Sequence, residues 1–201
     1  VSAFVDVNYY QQTKSESILS NYRQENVFNV DDSQTRDYLL NGGTVQGTNT
    51  SKSVDLNWYK QQYAADLAAN QTAIDKNANN TVEDGELFDY VTGEGLQKGQ
   101  NPSKLVDFQA YRTAGSASAQ ALLAYYQKTD ITQISYQQTL EYMYSIGLSS
   151  GYNPSNALDL NAIRTTNAQA IASYYQVQSI EQVSYTQTFS YSFGAGYSSI
   201  G

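Results

Sequence analysis

An apolar residue, an aspartate and a second apolar residue stand together at four places along the chain: Val5-Asp6-Val7, Val54-Asp55-Leu56, Val106-Asp107-Phe108 and Leu158-Asp159-Leu160. Four positions after each aspartate comes another large side chain, Tyr10, Tyr59, Tyr111 and Ile163. Further on, a tyrosine precedes a glycine by five residues, as Tyr38 and Gly43, Tyr90 and Gly95, Tyr142 and Gly147, and Tyr191 and Gly196. These glycines are 52, 52 and 49 residues apart, and each aspartate lies 37 to 40 residues before its glycine. Two independent landmarks holding one register are the mark of a tandem repeat. A third falls between the copies, as Asn49-Thr50-Ser51, Asn101-Pro102-Ser103 and Asn153-Pro154-Ser155. The copies are bounded at 1–51, 52–103, 104–155 and 156–201.

Each landmark has a local physical reading. An aspartate flanked by apolar positions predicts a helix N-cap, whose carboxylate satisfies backbone N–H groups while the preceding Val or Leu acts as a hydrophobic staple. The glycine predicts a left-handed residue ending the last helix of each copy, and the Asn-Pro-Ser turn keeps that helix from continuing. The tyrosine five residues earlier sits on that helix and faces the core. The predicted fold is mostly α, a tandem array of four degenerate helix-loop-helix repeats of about 50 residues. In the C-terminal segment, aromatic and polar residues alternate around Tyr191, Phe193 and Tyr197, which leaves a β-strand open as the alternative there.

These landmarks resemble the tandem repeats of cyanobacterial secreted, calcium-binding and surface-associated proteins. Units of that family open with Phe-Asp and a Tyr-Tyr or Phe-Tyr pair, and close with an aromatic, a glycine and an Asn-Pro or Asp-Pro turn. Here Phe4, Asp6, Tyr9, Tyr10, Tyr38, Gly43 and their counterparts carry the likeness over the whole chain. The family's Asn-Pro-Asp-Val stretch after the first helix is missing from all four copies. The resemblance implies an extracellular, cell-surface location and a structural use of calcium.

Composition narrows the chemistry. There is no cysteine and no histidine, which removes disulfides, thiolate metal sites, Ser-His-Asp and Cys-His catalysis and the commonest general base near neutral pH. A net charge of −8 and a sequence pI near 4.4 weigh against nucleic acid and anionic membranes, which attract clustered Lys and Arg. No stretch approaches the roughly 18 apolar residues of a membrane span, so no membrane insertion is expected. The N-terminal Val-Ser-Ala-Phe-Val-Asp lacks the zones of a signal peptide, and a secretion signal is expected to have been removed. Acidic and basic residues number 14 and 8 in residues 1–104 but only 5 and 3 in residues 105–201, with no charge after Glu181. The 19 tyrosines suit either a small core or contacts between subunits.

One segment carries metal chemistry. Residues 75–86 read D-K-N-A-N-N-T-V-E-D-G-E and match the twelve-residue EF-hand calcium loop at every diagnostic position but one. Asp75, Asn77 and Asn79 are predicted to offer side-chain oxygens, Thr81 its carbonyl, Glu83 a direct or water-mediated contact and Glu86 both carboxylate oxygens, while Val82 packs inward. The departure is Asn80, where the loop calls for glycine, and Asn is the non-glycine residue that best tolerates a left-handed backbone. With only three carboxylates, and with the ligands absent from the aligned Gln127 to Gln138, the expected affinity lies in the extracellular range of roughly 10⁻⁴ to 10⁻³ M, with calcium as a structural clip. Asn49, Asn70 and Asn79 also open glycosylation-type tripeptides.

The expected function is that of a non-enzymatic extracellular structural protein, a subunit of a surface fibre or layer. Its expected partners are copies of itself, since the apolar start at Val1, Ala3, Phe4 and Val5 and the charge-free run Gln182 to Gly201 read as uncapped ends that join head to tail. The alternative is a calcium-assisted carbohydrate-binding or adhesive module, with glycans as partners and Trp58 and surface tyrosines stacking on sugar rings. A glycosidase built on Glu83 and Glu86 is a third reading, and the calcium loop explains that pair better.

Overall fold

The computed structural model describes residue 51 and residues 53–194, together with 7, 11, 15–24, 30, 31, 34, 35 and 38 of the first fifty. Its elements are short helices: α1 (Ser15–Tyr22), α2 (Leu56–Gln62), α3 (Ala64–Ala69), α4 (Gln71–Ile74), α5 (Asp84–Tyr90), α6 (Phe108–Tyr111), α7 (Ala117–Tyr125), α8 (Tyr136–Tyr142), α9 (Leu160–Thr166), α10 (Ala168–Tyr174) and α11 (Tyr185–Gly194). The protein is mostly helical, and among the described residues extended pairing is limited to isolated bridges between Ser51 and Val54 and between Ser155 and Leu158. Helices this short do not persist alone in water. Caps and tertiary packing hold them.

The caps are where the sequence places them. Asp55 Oδ1 accepts from the N–H of Trp58 at 3.0 Å, Asp107 Oδ1 from Ala110 at 3.0 Å, and Asp159 Oδ1 from Asn161 and Ala162 at 3.0 Å. The preceding Val54, Val106 and Leu158 are buried. Two of these aspartates donate their own N–H groups to the end of the stretch they open, Asp55 to Pro102 O at 3.0 Å and Asp107 to Pro154 O at 2.9 Å. Start and finish are thereby stitched together. Asp6 lies outside the described residues.

The chain divides into two compact units, Val1–Lys104 and Leu105–Gly201. In the first, Val54, Leu56, Tyr59, Ile74, Leu87, Phe88, Tyr90 and Val91 form one buried cluster, and Ile18, Val30 and Tyr38 form another. In the second, Leu148 joins Leu158, Leu160, Ile163, Ile171, Val183, Phe189 and Tyr191, and the ring of Tyr144 stands edge-on to Phe189 at 5.7 Å. Tyr38, Tyr90, Tyr142 and Tyr191 are all buried, as expected for the tyrosine on each closing helix.

Two expectations are corrected. Gly95 and Gly147 are not left-handed terminators: they end π-helical turns, Val91–Gly95 and Met143–Gly147, that prolong α5 and α8. The left-handed glycines come four residues later, Gly99 (φ 74°) and Gly151 (φ 82°). The landmark glycines are small for a tertiary reason, since a Cβ at Gly95 would collide with the hydroxyl of Tyr59, and one at Gly147 with the hydroxyl of Tyr111. Gly43 and Gly196 lie outside the described residues. The strand alternative at the C-terminus also fails as far as Gly194: Tyr191 and Phe193 lie on α11, which starts from a cap in which Ser184 Oγ accepts from the Gln187 N–H at 3.1 Å. Tyr197 lies outside the described residues.

Candidate metal site

The loop between α4 and α5 brings together five of the six residues picked out for calcium through their side chains. Asp75 closes α4, its N–H bonded to Gln71 O at 2.8 Å. Its carboxylate then turns the chain back, Oδ2 accepting from the Asn80 N–H at 2.7 Å and Oδ1 from the Asn79 N–H at 3.2 Å. Asn77 Oδ1 also accepts from the Asn79 N–H, at 3.1 Å, and Asn79 Oδ1 accepts from the Thr81 N–H at 2.8 Å. Thr81 joins through its backbone. The amide groups of Asn77 and Asn79 both donate to the Glu83 carboxylate, at 2.7 and 2.6 Å.

Asn80 takes the left-handed conformation the motif requires of its sixth position, with φ 64°, and Ala78 shares it at φ 56°. Val82 packs against the apolar cluster of this unit. Glu86 occupies the third position of α5 and forms a capping box, Oε2 accepting from the Glu83 N–H at 3.2 Å. Its other oxygen accepts from the N–H groups of Lys76 and Asn77, at 2.8 and 3.3 Å. Desolvation works against the charged Glu86, and these backbone donors outweigh it, leaving its pKa below the ordinary carboxylate value. The donor set is all oxygen, carboxylate and amide, which suits a hard cation such as calcium. Among the described residues no three His, Cys, Asp or Glu side chains converge on one point. Any cation here would depend on amide and carbonyl oxygens.

A set of residues that the sequence reading passed over ties the corresponding loops elsewhere. The side chain five positions after each landmark aspartate reaches across to the second helix. Arg112 donates to Ile131 O at 2.7 Å, Ile134 O at 2.8 Å and Thr139 Oγ1 at 2.6 Å. Arg164 repeats this on Ile180 O at 2.8 Å, Val183 O at 2.5 Å and Thr188 Oγ1 at 2.9 Å. Both guanidinium groups lie over a ring, Tyr136 at 4.4 Å and Tyr185 at 4.5 Å. Gln11, five positions after Asp6, bonds Val30 O at 3.3 Å and Thr35 Oγ1 at 2.8 Å. In residues 52–103 the position is Lys60, which pairs with the mostly buried Asp84 at 2.5 Å.

A capping box also recurs along the chain. Glu83 with Glu86, Ser135 with Gln138 and Ser184 with Gln187 open α5, α8 and α11, and Asp31 with Gln34 makes the same reciprocal pair of hydrogen bonds. For Asp31, Ser135 and Ser184 the pattern of a short polar residue three before Gln was legible in the sequence.

Around Asp66 lies a second polar cluster. Asp66 Oδ2 accepts from the Tyr90 hydroxyl at 2.5 Å and from Gln100 Nε2 at 3.0 Å, and Lys98 Nζ donates to the Tyr90 hydroxyl at 2.8 Å and to Glu94 at 2.9 Å. The hydrogen bonds from Tyr90 and Gln100 hold the Asp66 carboxyl below its ordinary pKa. Trp58, a proposed sugar platform, is half-buried against the apolar cluster with its ring edge-on to Tyr63 at 6.1 Å. The exposed large aromatics among the described residues are Tyr125 at 54% and Tyr174 at 56%. Of the glycosylation-type asparagines, Asn70 donates its amide to Asp66 O at 2.7 Å and Asn79 belongs to the loop, while Asn49 lies outside the described residues.

Comparison with protein-family models, with curated proteins and with solved structures finds no match to this chain.

Proposed function

We propose that the chain is a non-enzymatic structural protein of the extracellular surface, an array of four copies of one helix-loop-helix frame whose second copy is clipped by calcium. The observation that carries this reading is the recurrence of one side-chain contact in step with the sequence period: Gln11, Arg112 and Arg164 each reach a carbonyl and a buried threonine hydroxyl at matching positions of the next helix. Repeats of this kind bury their apolar faces on neighbours and give stability by stacking, which suits a load-bearing or space-filling role. Copies of the same chain are the proposed partners, forming a fibre or layer.

Calcium is the proposed cofactor, held by Asp75, Asn77, Asn79, Thr81, Glu83 and Glu86. Glu86→Gln provides a clean test. Gln34, Gln138 and Gln187 already fill the same capping-box position, so the variant can keep the cap of α5 while losing the anionic, bidentate ligand, together with the acceptor that Oε1 offers to the Lys76 and Asn77 N–H groups. Calorimetry should give calcium binding at roughly 10⁻⁴ to 10⁻³ M for the natural chain and at least tenfold weaker binding for Glu86→Gln. Absence of binding at millimolar calcium would reject the site. Light scattering and electron microscopy with calcium or a chelator test assembly, and a monodisperse monomer in both conditions would reject it.

The exposed Tyr125 and Tyr174 favour a second reading, a carbohydrate-binding or adhesive module. They occupy equivalent positions, each next to a tyrosine whose hydroxyl is bonded inward to Gln138 O or Gln187 O. Quenching of tyrosine fluorescence by soluble glycans, lost in Tyr125→Ala and Tyr174→Ala, would select it over self-assembly.

A further inference from the structure

The second repeat differs from the other three at the two places where side chains tie the inter-helix loop. In the first, third and fourth repeats a tyrosine at the end of the earlier helix donates its hydroxyl to the backbone carbonyl of the capping-box glutamine: Tyr22 to Gln34 O at 2.7 Å, Tyr126 to Gln138 O at 3.1 Å and Tyr175 to Gln187 O at 2.8 Å. The equivalent residue of the second repeat is Ile74, which has no hydroxyl. The other tie is the one from Gln11, Arg112 and Arg164. Its counterpart Lys60 is drawn to Asp84, the position of Tyr136 and Tyr185, and Leu87 stands where the others place the accepting Thr35, Thr139 and Thr188.

The backbone departs at the same point. After the earlier helix, Arg23, Gln127 and Gln176 are left-handed, at φ 51°, 53° and 54°, and close it with a Schellman pattern seen in Lys128 N–H to Leu123 O at 2.9 Å and Val177 N–H to Ala172 O at 2.9 Å. Their counterpart Asp75 has φ −70°, and the left-handed residues are displaced to Ala78 and Asn80 within the loop. A tie from the preceding helix, Gln71 Nε2 to Asn80 O at 3.0 Å, is solvent-exposed. The second repeat has thus exchanged a clamp of tyrosine hydroxyl and Gln or Arg side chain for a loop of oxygen donors.

We propose that calcium replaces this two-part clamp, so that occupancy of the loop sets the order of residues 75–83 and makes the second repeat the ion-controlled joint of the array. The proposal rests on the calcium reading above and extends it from binding to consequence. The ion would draw on the carboxylate of Glu83, now shared between the amides of Asn77 and Asn79. It would join α4 to α5 through Asp75 and Glu86, the same two helices that a tyrosine hydroxyl joins elsewhere.

Hydrogen exchange on the full chain, read by mass spectrometry with and without calcium, tests this. Exchange in 75–83 should slow at least tenfold with millimolar calcium, and exchange in 127–134 and 176–183 should not change. Glu86→Gln should abolish the difference. Tyr126→Phe removes one clamp bond of the third repeat without adding bulk, and should quicken exchange in 127–134 several-fold with no restoration by calcium. Calcium uptake by calorimetry without slower exchange in 75–83 would overturn the proposal while leaving the site standing, whereas no uptake would remove the site itself. Unchanged exchange in Tyr126→Phe would overturn the clamp.

Discussion

The hydroxyl of Tyr111 occupies the space that a side chain at Gly147 would need. The two residues are 36 positions apart in sequence, and the tyrosine is almost wholly buried. Tyr59 stands in the same relation to Gly95. This pairing explains why Tyr59 and Tyr111, four residues after their aspartates, keep step with Gly95 and Gly147.

Gly147→Ala should therefore destabilise the protein by about 1–3 kcal/mol, the cost of overpacking, although Ala is the better helix residue. Tyr111→Phe in the same chain should recover most of that loss. Urea unfolding of the two single variants and the double variant measures the coupling, and simple additivity would show that the contact is not the cause.

The two tyrosines should differ on losing their hydroxyls. Tyr59 donates to Gln100 Oε1, and Tyr59→Phe should cost about 1 kcal/mol. Among the described residues the buried Tyr111 hydroxyl has no hydrogen-bond partner, and Tyr111→Phe should be neutral or stabilising by up to about 1 kcal/mol. Thermal melts that rank the variants in the reverse order would contradict the assignment.

Arg112 serves four acceptors, Ile131 O, Ile134 O, Ser135 O and Thr139 Oγ1. Arg112→Ala should cost about 1–3 kcal/mol, because it strands buried or partly buried acceptors. Arg112→Lys should recover only part of this, since an ammonium cannot reproduce the planar fork. Equal stability of the two variants by chemical denaturation would argue against the fork geometry.

Asp66 makes stability depend on acid. Its folded pKa lies below its unfolded value, through hydrogen bonds from Tyr90 and Gln100, so the folded state holds fewer protons than the unfolded chain in that window. Its contribution is present above the unfolded carboxylate value of about 4 and is lost as pH falls through the folded pKa. Denaturation midpoints should drop below about pH 4, and Asp66→Asn should flatten that drop while lowering stability at pH 7. An identical pH profile in the variant would refute the role.

Asn80 should tolerate glycine and reject a β-branched residue, because its φ is 64°. Asn80→Gly is expected to be close to neutral, and Asn80→Ile to cost about 1–2 kcal/mol. Calcium titrations of the same proteins should give unchanged or tighter binding for Asn80→Gly and weaker binding for Asn80→Ile.

What the sequence determined by itself was local. The aspartate caps act over three residues, so Asp55, Asp107 and Asp159 could be read from their apolar flanks alone. The left-handed Asn80 and the sequence of oxygen donors from Asp75 to Glu86 were legible for the same reason. The tertiary structure decided whatever depends on a distant partner. Gly95 and Gly147 look like helix terminators until the tyrosine packed on each is known. Arg112 and Arg164 look like ordinary surface cations until the carbonyls beneath them are placed. Alternation around Tyr191 and Phe193 suggested a strand, but Phe189 and Tyr191 lie in a buried cluster and Ser184 caps the helix that carries them. A period of two in polar and apolar residues is a weak preference, and burial of one helical face outweighs it.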